Sequence, residues 1–280
     1  MKNTERKIQM SKILLDDAMR VLKKTSRTFY IPITFLNKEL KHAVGVAYLA
    51  MRAIDEIEDH EDISNEAKHD YLMATAELLK KPFDEAAYKA LIAPVAASLP
   101  EVSLRLGDWL ACCPDGALPR VQAATAEMAE GMAKWALKNW DIQTKEDLDD
   151  YTYYVAGLVG VMLSDLWEWN AGTKTDRDLA IAYGRGLQAV NILRNQDEDM
   201  DERGVSFVPN GWTRDDLFAY ADDNLAKADL YMESLNKRTI ILFCRLPLAL
   251  AHKTLKALKE GREKISRQEV EQTVVEVQQD

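Results

Sequence analysis

Glycine and proline are scarce in this chain. Its 280 residues include 12 glycines and 8 prolines, whereas the two together make up about 12% of an average protein. Turn-rich β-sandwiches and barrels use both residues heavily, so the scarcity argues against those folds. Abundant alanine, leucine, lysine and glutamate, with ten methionines, favour long helices instead. We therefore predict an all-α chain.

Positive charge, cysteine and long apolar runs are also lacking. The net charge is −10, so no global field attracts a polyanion and we expect no nucleic-acid partner. The three cysteines, Cys112, Cys113 and Cys244, lack metal-site spacing, and we interpret them as reduced thiols. The longest uncharged stretch, 151–164, is shorter than the roughly 20 residues that span a bilayer. With a polar amino terminus as well, the protein is expected to be cytoplasmic, or at most peripheral to a membrane.

Helical periodicity runs along nearly the whole chain, with no low-complexity linker and no repeat of fixed length. Four predicted helix starts carry a hydroxyl with an acid three residues later, the pattern of a capping box: Thr144, Thr175, Thr213 and Ser266. The predicted helices are 5–25, 38–60, 65–80, 84–98, 100–112, 118–139, 145–169, 177–200, 214–235, 238–260 and 267–278. We expect residues 1–280 to form a single domain.

The segment 43–59 carries two stripes of residues at helical spacing. One is an ordinary apolar face, formed by Val46, Leu49, Ala50, Ala53, Ile54 and Ile57. The other places Tyr48, Arg52, Asp55 and Asp59 on one side of the helix, with Glu58 beside them. Paired carboxylates suit Mg²⁺, which binds one or two protein carboxylates together with substrate phosphates. The alternative is a solvated face in which Arg52 pairs with Asp55 or Glu56.

A second polar cluster lies about 140 residues further along the chain. Its members recur at helical spacing and are Gln188, Asn191, Arg194, Asn195, Glu198 and Asp199. Metal sites in helical bundles are built from side chains on facing helices, so we predict that the two clusters face each other across a bundle interior. Two independent solvated faces are the alternative.

Glycines interrupt two of the predicted helices. Gly157 and Gly160 lie in the apolar segment 151–164, and Gly184 and Gly186 precede the second polar cluster. This spacing is typical of a groove that admits an apolar chain, and it is equally typical of close packing between helices. The sequence leaves both interpretations open.

Several stretches resemble motifs of the squalene and phytoene synthase family, the head-to-head trans-prenyltransferases. The family's substrate-diphosphate flap is similar to TSRTF (25–29), and its first aspartate-rich motif is similar to YLAMRAIDEIED (48–59). Its tyrosine helix resembles YVAGLVG (154–160), and its second aspartate-rich motif resembles NILRNQDED (191–199). The C-terminal helix of squalene synthases is similar to FCRLP (243–247). Because these motifs occur in the family's order along nearly the whole chain, chance resemblance is implausible. Residues 256–280 are charged at frequent intervals, unlike the membrane anchor of animal and yeast squalene synthases, so we expect a soluble, bacterial-type member.

The resemblance implies a fold and a reaction. The fold is an isoprenoid-synthase-type helical bundle with a central cavity. In it, Mg²⁺ helps to bind two farnesyl diphosphate molecules, whose head-to-head condensation gives presqualene diphosphate. Rearrangement of that intermediate gives squalene or a related C30 product, and the sequence does not decide whether NADPH supplies a hydride.

The resemblance also implies roles for individual residues. The metal ligands would be Asp55, Glu58, Asp59, Asn195 and Asp199. The catalytic residues would be Tyr48, Arg52, Tyr154 and Arg194, with the arginines on the diphosphate and the tyrosines near the carbocation or the leaving group. The substrate would be contacted by Ser26, Arg27, Phe29, Gln188, Asn191 and Arg203.

Two positions depart from the family pattern. The second motif normally begins with aspartate, whereas Asn195 keeps a carbonyl ligand and lacks the charge, so we expect a weaker second metal site. Val205 stands where the family often has arginine before an aromatic residue and proline, and Arg203 is the nearest substitute.

Two other functions remain open. A prenyl diphosphate hydrolase on the same scaffold would release farnesol or hydroxysqualene, and a weakened metal site favours that outcome. A non-catalytic helical protein that binds a prenyl lipid is the third hypothesis, although such a protein has no need for paired carboxylates. The expected partner is a prenyl diphosphate, with peripheral membrane contact for product release.

Overall fold

All the regular secondary structure in the described part of the computed structural model is helical. That part comprises residues 2–279, with side chains described for residue 12 and for 14–26, 28–202 and 204–279. No strand occurs within these residues. The prediction of an all-α chain is confirmed.

Residue contacts divide the chain into two compact units, Met1–Leu137 and Lys138–Asp280. The prediction of a single domain stays a prediction. In the described part of the first unit the helices are α1 (Lys2–Thr25), α2 (Arg27–Phe35), α3 (Lys38–Glu58), α4 (Asn65–Leu79), α5 (Glu85–Ile92), α6 (Glu101–Leu104), α7 (Leu106–Ala111) and α8 (Leu118–Leu137).

Helix α3 is the centre of the first unit. It contacts α1, α2, α4, α6, α7 and α8. The apolar stripe that the sequence predicts on this helix is buried at every position, namely Val46, Leu49, Ala50, Ala53, Ile54 and Ile57. Because these six helices pack against α3, its backbone is held in place, and so are the attachment points of the side chains at its C-terminal end.

The second unit is organised around one long helix. Its helices are α9 (Lys145–Thr152), a π-helical turn (Tyr153–Gly157), α10 (Leu158–Ala171), α11 (Arg177–Arg203), α12 (Arg214–Glu233), α13 (Arg238–Lys259) and α14 (Arg267–Gln279). Helix α11 contacts α9, the π-helical turn, α10, α12 and α13. Each of the two polar clusters therefore lies on the helix with the most neighbours in its own unit.

Side-chain caps begin several of these helices. Three of the predicted capping boxes are present, at Thr144, Thr213 and Ser266. The prediction at Thr175 is wrong, because Asp176 caps α11 and accepts from the backbone N–H of Leu179 at 2.9 Å. A carboxylate at this position also interacts favourably with the positive end of the helix dipole.

The largest differences from the predicted helices occur in four places. Helix α2, which has nine residues and contains Pro32, is not among the predicted helices. The helix predicted over 84–98 ends at Ile92, and the one predicted over 100–112 is divided into α6 and α7. The segment predicted as one helix over 145–169 contains α9, the π-helical turn and α10.

Close packing explains glycines of the second unit. A Cβ on Gly160 would lie 2.0 Å from the carbonyl oxygen of Ala180, and one on Gly184 would lie 2.1 Å from that of Ala156. The backbones of α10 and of the π-helical turn therefore touch the backbone of α11, and only glycine fits at these two contacts. Of the two interpretations that the sequence leaves open, helix packing is the one supported here.

The structure also bears on membrane-spanning helices and on the state of the cysteines. Within the described residues, no helix combines the length and the apolar character needed to cross a bilayer. All three cysteines are free thiols, and Cys113 and Cys244 are buried.

The close helix contact predicts a large stability difference between two glycine substitutions. Gly160→Ala should lower the free energy of unfolding by about 3 kcal/mol, because the added methyl group overlaps a backbone carbonyl that cannot move alone. Gly45→Ala is the matched control, since its Cβ would meet Leu22 at an ordinary 3.5 Å. Alanine is a better helix former than glycine by up to about 1 kcal/mol. Urea unfolding of both variants measures the difference, and equal midpoints would contradict the account of the packing.

Candidate active site

The C-terminal end of α3 brings three carboxylates together. One oxygen from each of Asp55, Glu58 and Asp59 lies within 4.8 Å of the others. Asp55 is half-buried, Glu58 is only 5% exposed and Asp59 is exposed. This end of a helix is the negative end of its dipole, and the last turn of α3 contains no basic residue. A divalent cation would relieve this concentration of negative charge.

Arg52 lies just before the carboxylates on the same helix. Its Nη1 donates to Oδ2 of Asp55 at 2.6 Å, and its Nε donates to Oε1 of Glu56 at 2.7 Å. Burial lowers the pKa of Arg52, but the charges of Asp55 and Glu56 outweigh that effect, so the net shift of the pKa is upward. The ion pairs expected for a solvated face are therefore present, and they coexist with the carboxylate group.

The segment that resembles the flap packs against α3. Ser26 caps α2 by accepting from the backbone N–H of Phe29 at 3.0 Å. The Tyr48 hydroxyl donates to the carbonyl oxygen of Thr25 at 3.4 Å, and the rings of Phe29 and Tyr48 lie 6.2 Å apart between centroids. The structure thus brings Ser26, Phe29 and Tyr48 together, whereas the side chain of Arg27 lies outside the described residues.

The second polar cluster lies between residues 188 and 199 of α11 and forms two adjacent stripes. Gln188, Asn195 and Asp199 are half-buried, and Asn191, Arg194 and Glu198 are exposed. The Nε of Arg194 donates to Oδ1 of Asn195 at 3.1 Å. The side chain of Arg203 lies outside the described residues. The prediction that this cluster faces the carboxylates of α3 stays a prediction.

The loop after α11 accounts for one departure from the family pattern. Gly204, with a φ of +64°, ends the helix in the left-handed conformation that favours glycine. The backbone N–H of Val205 then donates to the carbonyl oxygen of Asp199 at 3.3 Å. Val205 is only 5% exposed, and Phe207 stacks on Tyr151 with ring centroids 4.9 Å apart. An apolar side chain at 205 fits this buried position.

The donor atoms in both clusters are chemically suited to a hard cation. Carboxylate and amide oxygens are the ligands that Mg²⁺ takes in proteins, and α3 offers three carboxylates. In α11 the oxygen of Asn195 already accepts a bond from Arg194. That bond and the missing charge agree with the expectation that Asn195 would be a weak metal ligand.

Tyr154 lies in the π-helical turn rather than in a regular α-helix. Its ring meets that of Tyr153 edge to face, with centroids 5.2 Å apart. The Tyr153 hydroxyl accepts from Nη2 of Arg177 at 3.4 Å. Because π-helical turns recur at functional sites, Tyr153 becomes a second candidate residue. Tyr153 is not among the residues predicted from the sequence, although the adjacent tyrosines in YTYYVAG are a visible signal.

Sequence comparison relates this chain to a known family. The family model described as squalene/phytoene synthase matches residues 22–217. Squalene synthase 10 of Panax ginseng is 30% identical over 265 residues, which cover 84% of this chain and 61% of that protein. The squalene synthase of Dictyostelium discoideum is 30% identical over 268 residues, covering 85% and 62%. That of Rattus norvegicus is 29% identical over 276 residues, covering 87% and 63%. The chain thus spans a little over three fifths of the length of these relatives.

Solved structures share the fold. TcSQS in complex with the ligand BPH1237 superposes with a TM-score of 0.79 at 23% identity, covering 94% of this chain and 86% of that one. A dehydrosqualene synthase in complex with ligand superposes with a TM-score of 0.61 at 22% identity, covering 97% of both chains. The prediction of an isoprenoid-synthase-type all-α fold is confirmed.

We expect the carboxylates of α3 to bind a divalent cation even when no substrate is present. Asp55→Asn and Asp59→Asn should each weaken Mn²⁺ binding by at least about tenfold, since even outer-shell partners of metal ligands are worth about 10- to 100-fold in affinity. Mn²⁺ is the probe because it accepts the same oxygen ligands as Mg²⁺ and gives a paramagnetic resonance signal.

Asp62→Asn is the control for this titration. It removes the same charge from the loop after α3, but Asp62 does not belong to the carboxylate group. Equal affinities for the control and for both cluster variants would show that the carboxylates do not form a metal site.

Proposed function

This chain belongs to the squalene/phytoene synthase family, and we propose that it condenses two farnesyl diphosphate molecules head to head. The reaction passes through presqualene diphosphate and ends in squalene or a related C30 product. The observation that carries the proposal is the group of three carboxylates at the end of α3, with Arg52 ion-paired beside it. A site that receives an anionic substrate has no use for three carboxylates unless cations accompany the substrate.

We propose metal ligands in each of the two acidic motifs. Asp55, Glu58 and Asp59 are the ligands we assign on α3, and Asp199 with Asn195 are those on α11. Bound there, Mg²⁺ supplies the positive charge that stabilises the departing diphosphate. Arg52 adds a permanent positive charge, because a guanidinium is protonated throughout the physiological range, and the charges of Asp55 and Glu56 raise its pKa further.

The remaining residues orient the substrate and protect the carbocation. Ser26 uses its oxygen as a helix cap and still has a proton to donate to a diphosphate oxygen. The hydroxyl of Tyr48 is directed to the Thr25 carbonyl, which leaves the faces of its ring for a cationic carbon. We assign Tyr154 the same role, and Arg194 a diphosphate contact. Gln188, Asn191, Arg27, Phe29 and Arg203 complete the proposed substrate contacts.

One observation favours a second function. Asn195 lacks the charge of the usual aspartate, and its oxygen is already bonded to Arg194. With a weaker second metal site, ionisation of one prenyl diphosphate and capture of its cation by water would give a prenyl alcohol. Hydrolysis is therefore the alternative activity. Hydrolysis needs a binding site for only one prenyl chain and admits water. Condensation needs sites for two prenyl chains and must exclude water from the allylic cation.

The location and the hydride donor are proposed on chemical grounds. A C30 hydrocarbon does not dissolve in water, so we propose a cytoplasmic enzyme that releases its product by peripheral contact with a membrane. NADPH is needed only if the product is squalene rather than dehydrosqualene, and the reaction should be tested with and without it.

Analysis of products from labelled farnesyl diphosphate tests the proposal. With Mg²⁺ present, a C30 hydrocarbon or presqualene diphosphate should be the main product, and EDTA should abolish turnover. Asp55→Asn should lower turnover by about 10²- to 10³-fold, a typical effect of losing one charge-stabilising group, while Asp62→Asn keeps its activity. Farnesol as the sole product would establish the hydrolase, and farnesyl diphosphate bound without turnover would indicate a prenyl-lipid-binding protein.

Asn195→Asp should strengthen metal binding in the second motif. The added carboxylate should lower the Mg²⁺ concentration for half-maximal activity by about fivefold, corresponding to the ~1 kcal/mol that two unit charges gain at 4 Å in water. Asn236→Asp is the control, because it adds the same charge at an exposed position and keeps the acceptor for Thr173. A changed product ratio with unaltered Mg²⁺ dependence would mean that Asn195 orients a water molecule instead.

A further inference from the structure

The π-helical turn Tyr153–Gly157 is a local departure from regular geometry that its surroundings must stabilise. A π-helical turn has one more residue per hydrogen-bonded ring than an α-helix, so it persists only where other contacts fix it. The backbone N–H of Tyr153 is shared between the carbonyl oxygens of Asp149 and Asp150, which places the change of hydrogen bonding at this point. Tyr153 and Tyr154 are the first two residues of the π-helical turn.

Asp149, in the last turn of α9, is bonded from three directions. The hydroxyl of Tyr220 on α12 donates to its Oδ1 at 2.7 Å, and Nζ of Lys145 donates to its Oδ2 at 2.8 Å. The Nη2 of Arg185 on α11 donates to its backbone carbonyl oxygen at 2.6 Å. Arg185 therefore binds the same carbonyl that Tyr153 shares, so α11 is connected directly to the start of the π-helical turn.

Burial makes these bonds costly to lose. Tyr220 is only 7% exposed, and its hydroxyl lies 3.2 Å from Oγ1 of the fully buried Thr152. The Nε of Arg185 is buried without a hydrogen-bond partner and lies 4.0 Å from Oδ1 of Asp149. A buried donor left unpaired is unfavourable, so the side chain is held there by its other contacts. Burial raises the pKa of Asp149, but the bonds from Lys145 and Tyr220 and the charge of Arg185 bring it below its ordinary value.

The neighbouring glycines allow this arrangement. Gly184 precedes Arg185, and a Cβ on Gly184 would lie 2.1 Å from the carbonyl oxygen of Ala156 inside the π-helical turn. A Cβ on Gly157 would lie 2.9 Å from Cγ2 of Ile181. The turn therefore rests on the backbone of α11, and Arg185 extends from that contact to Asp149.

We propose that Arg185, Asp149 and Tyr220 are positioning residues that hold the π-helical turn and thereby set the places of the Tyr153 and Tyr154 hydroxyls. None of the three needs to touch the substrate. Their effect on turnover rests on the proposed function, whereas their effect on the turn does not. Arg185 and Asp149 act on the backbone directly, and Tyr220 fixes the carboxylate of Asp149 from α12.

Hydrogen–deuterium exchange tests the structural half of the proposal. Arg185→Lys keeps the charge and loses the guanidinium geometry, and Tyr220→Phe keeps the ring and loses the hydroxyl. Each should speed exchange in a peptide covering 149–160 by about tenfold or more, while peptides from α13 stay unchanged. Lys227→Gln is the control, because it removes an exposed ion pair with Asp223 elsewhere on α12. If Tyr220→Phe leaves exchange over 149–160 unchanged, the proposal is overturned, and this holds even if Arg185→Lys fails to fold.

Steady-state kinetics with farnesyl diphosphate tests the positioning half. Corrected for the folded fraction, kcat should fall by roughly 10- to 100-fold, the size expected from misplacing a reacting group by about 1 Å, while KM and the Mg²⁺ requirement stay within twofold. Faster exchange with an unchanged kcat would show that the network is merely structural and would overturn the positioning claim. If the wild-type protein turns over no prenyl diphosphate, the proposed function fails, and the exchange experiment still decides whether the network holds the turn.

Discussion

Repulsion among three carboxylates at the end of α3 is the interaction on which the proposed cation site depends. Asp55, Glu58 and Asp59 place their oxygens within 4.8 Å of one another at the negative end of a helix dipole. Arg52 balances part of this charge through Asp55, and its second bond goes to Glu56. All three side chains lie at the end of one helix, so a movement of α3 as a whole does not separate them. The fold therefore keeps three carboxylates close together at a point where a divalent cation could bind.

The second unit is characterised by helices whose backbones lie in direct contact. Glycines let α10 and the π-helical turn touch α11, and the polar network of Arg185, Asp149 and Tyr220 connects α9, α11 and α12 at the same level. The second acidic motif lies further along α11, the helix that Gly204 caps. It carries less negative charge than the family pattern, because Asn195 brings an amide in place of a carboxylate. The two motifs thus differ in charge although both lie on the central helix of their unit.

Much of this arrangement can be read from the sequence because its signals are local. The apolar stripe of α3, the capping boxes and the acidic motifs all depend on spacings of three or four residues, which a helix converts directly into a shared face. Asp55, Glu58 and Asp59 are close neighbours on one helix, so their proximity follows from the helix alone. The choice between Thr175 and Asp176 as a cap could not be made, since both residue types cap helices well.

Features that depend on long-range contacts could not be predicted in the same way. Asp149 lies 36 residues from Arg185 and 71 from Tyr220, so no local pattern signals their network. The π-helical turn covers five residues, too few for its period to be distinguished from that of an α-helix. Helix α2 is short and contains Pro32, which local rules treat as a helix breaker. The glycines allowed two interpretations until the distances across the α10 and α11 contact were known.

The central claim is that the carboxylates of α3 become a diphosphate-binding centre through a divalent cation. Calorimetric titration of the protein with inorganic diphosphate, with and without Mg²⁺, tests it without requiring turnover. The account predicts binding that appears only with Mg²⁺ and is lost in Asp55→Asn. Diphosphate binding of equal strength without Mg²⁺, or binding with Mg²⁺ that Asp55→Asn leaves unchanged, would contradict it.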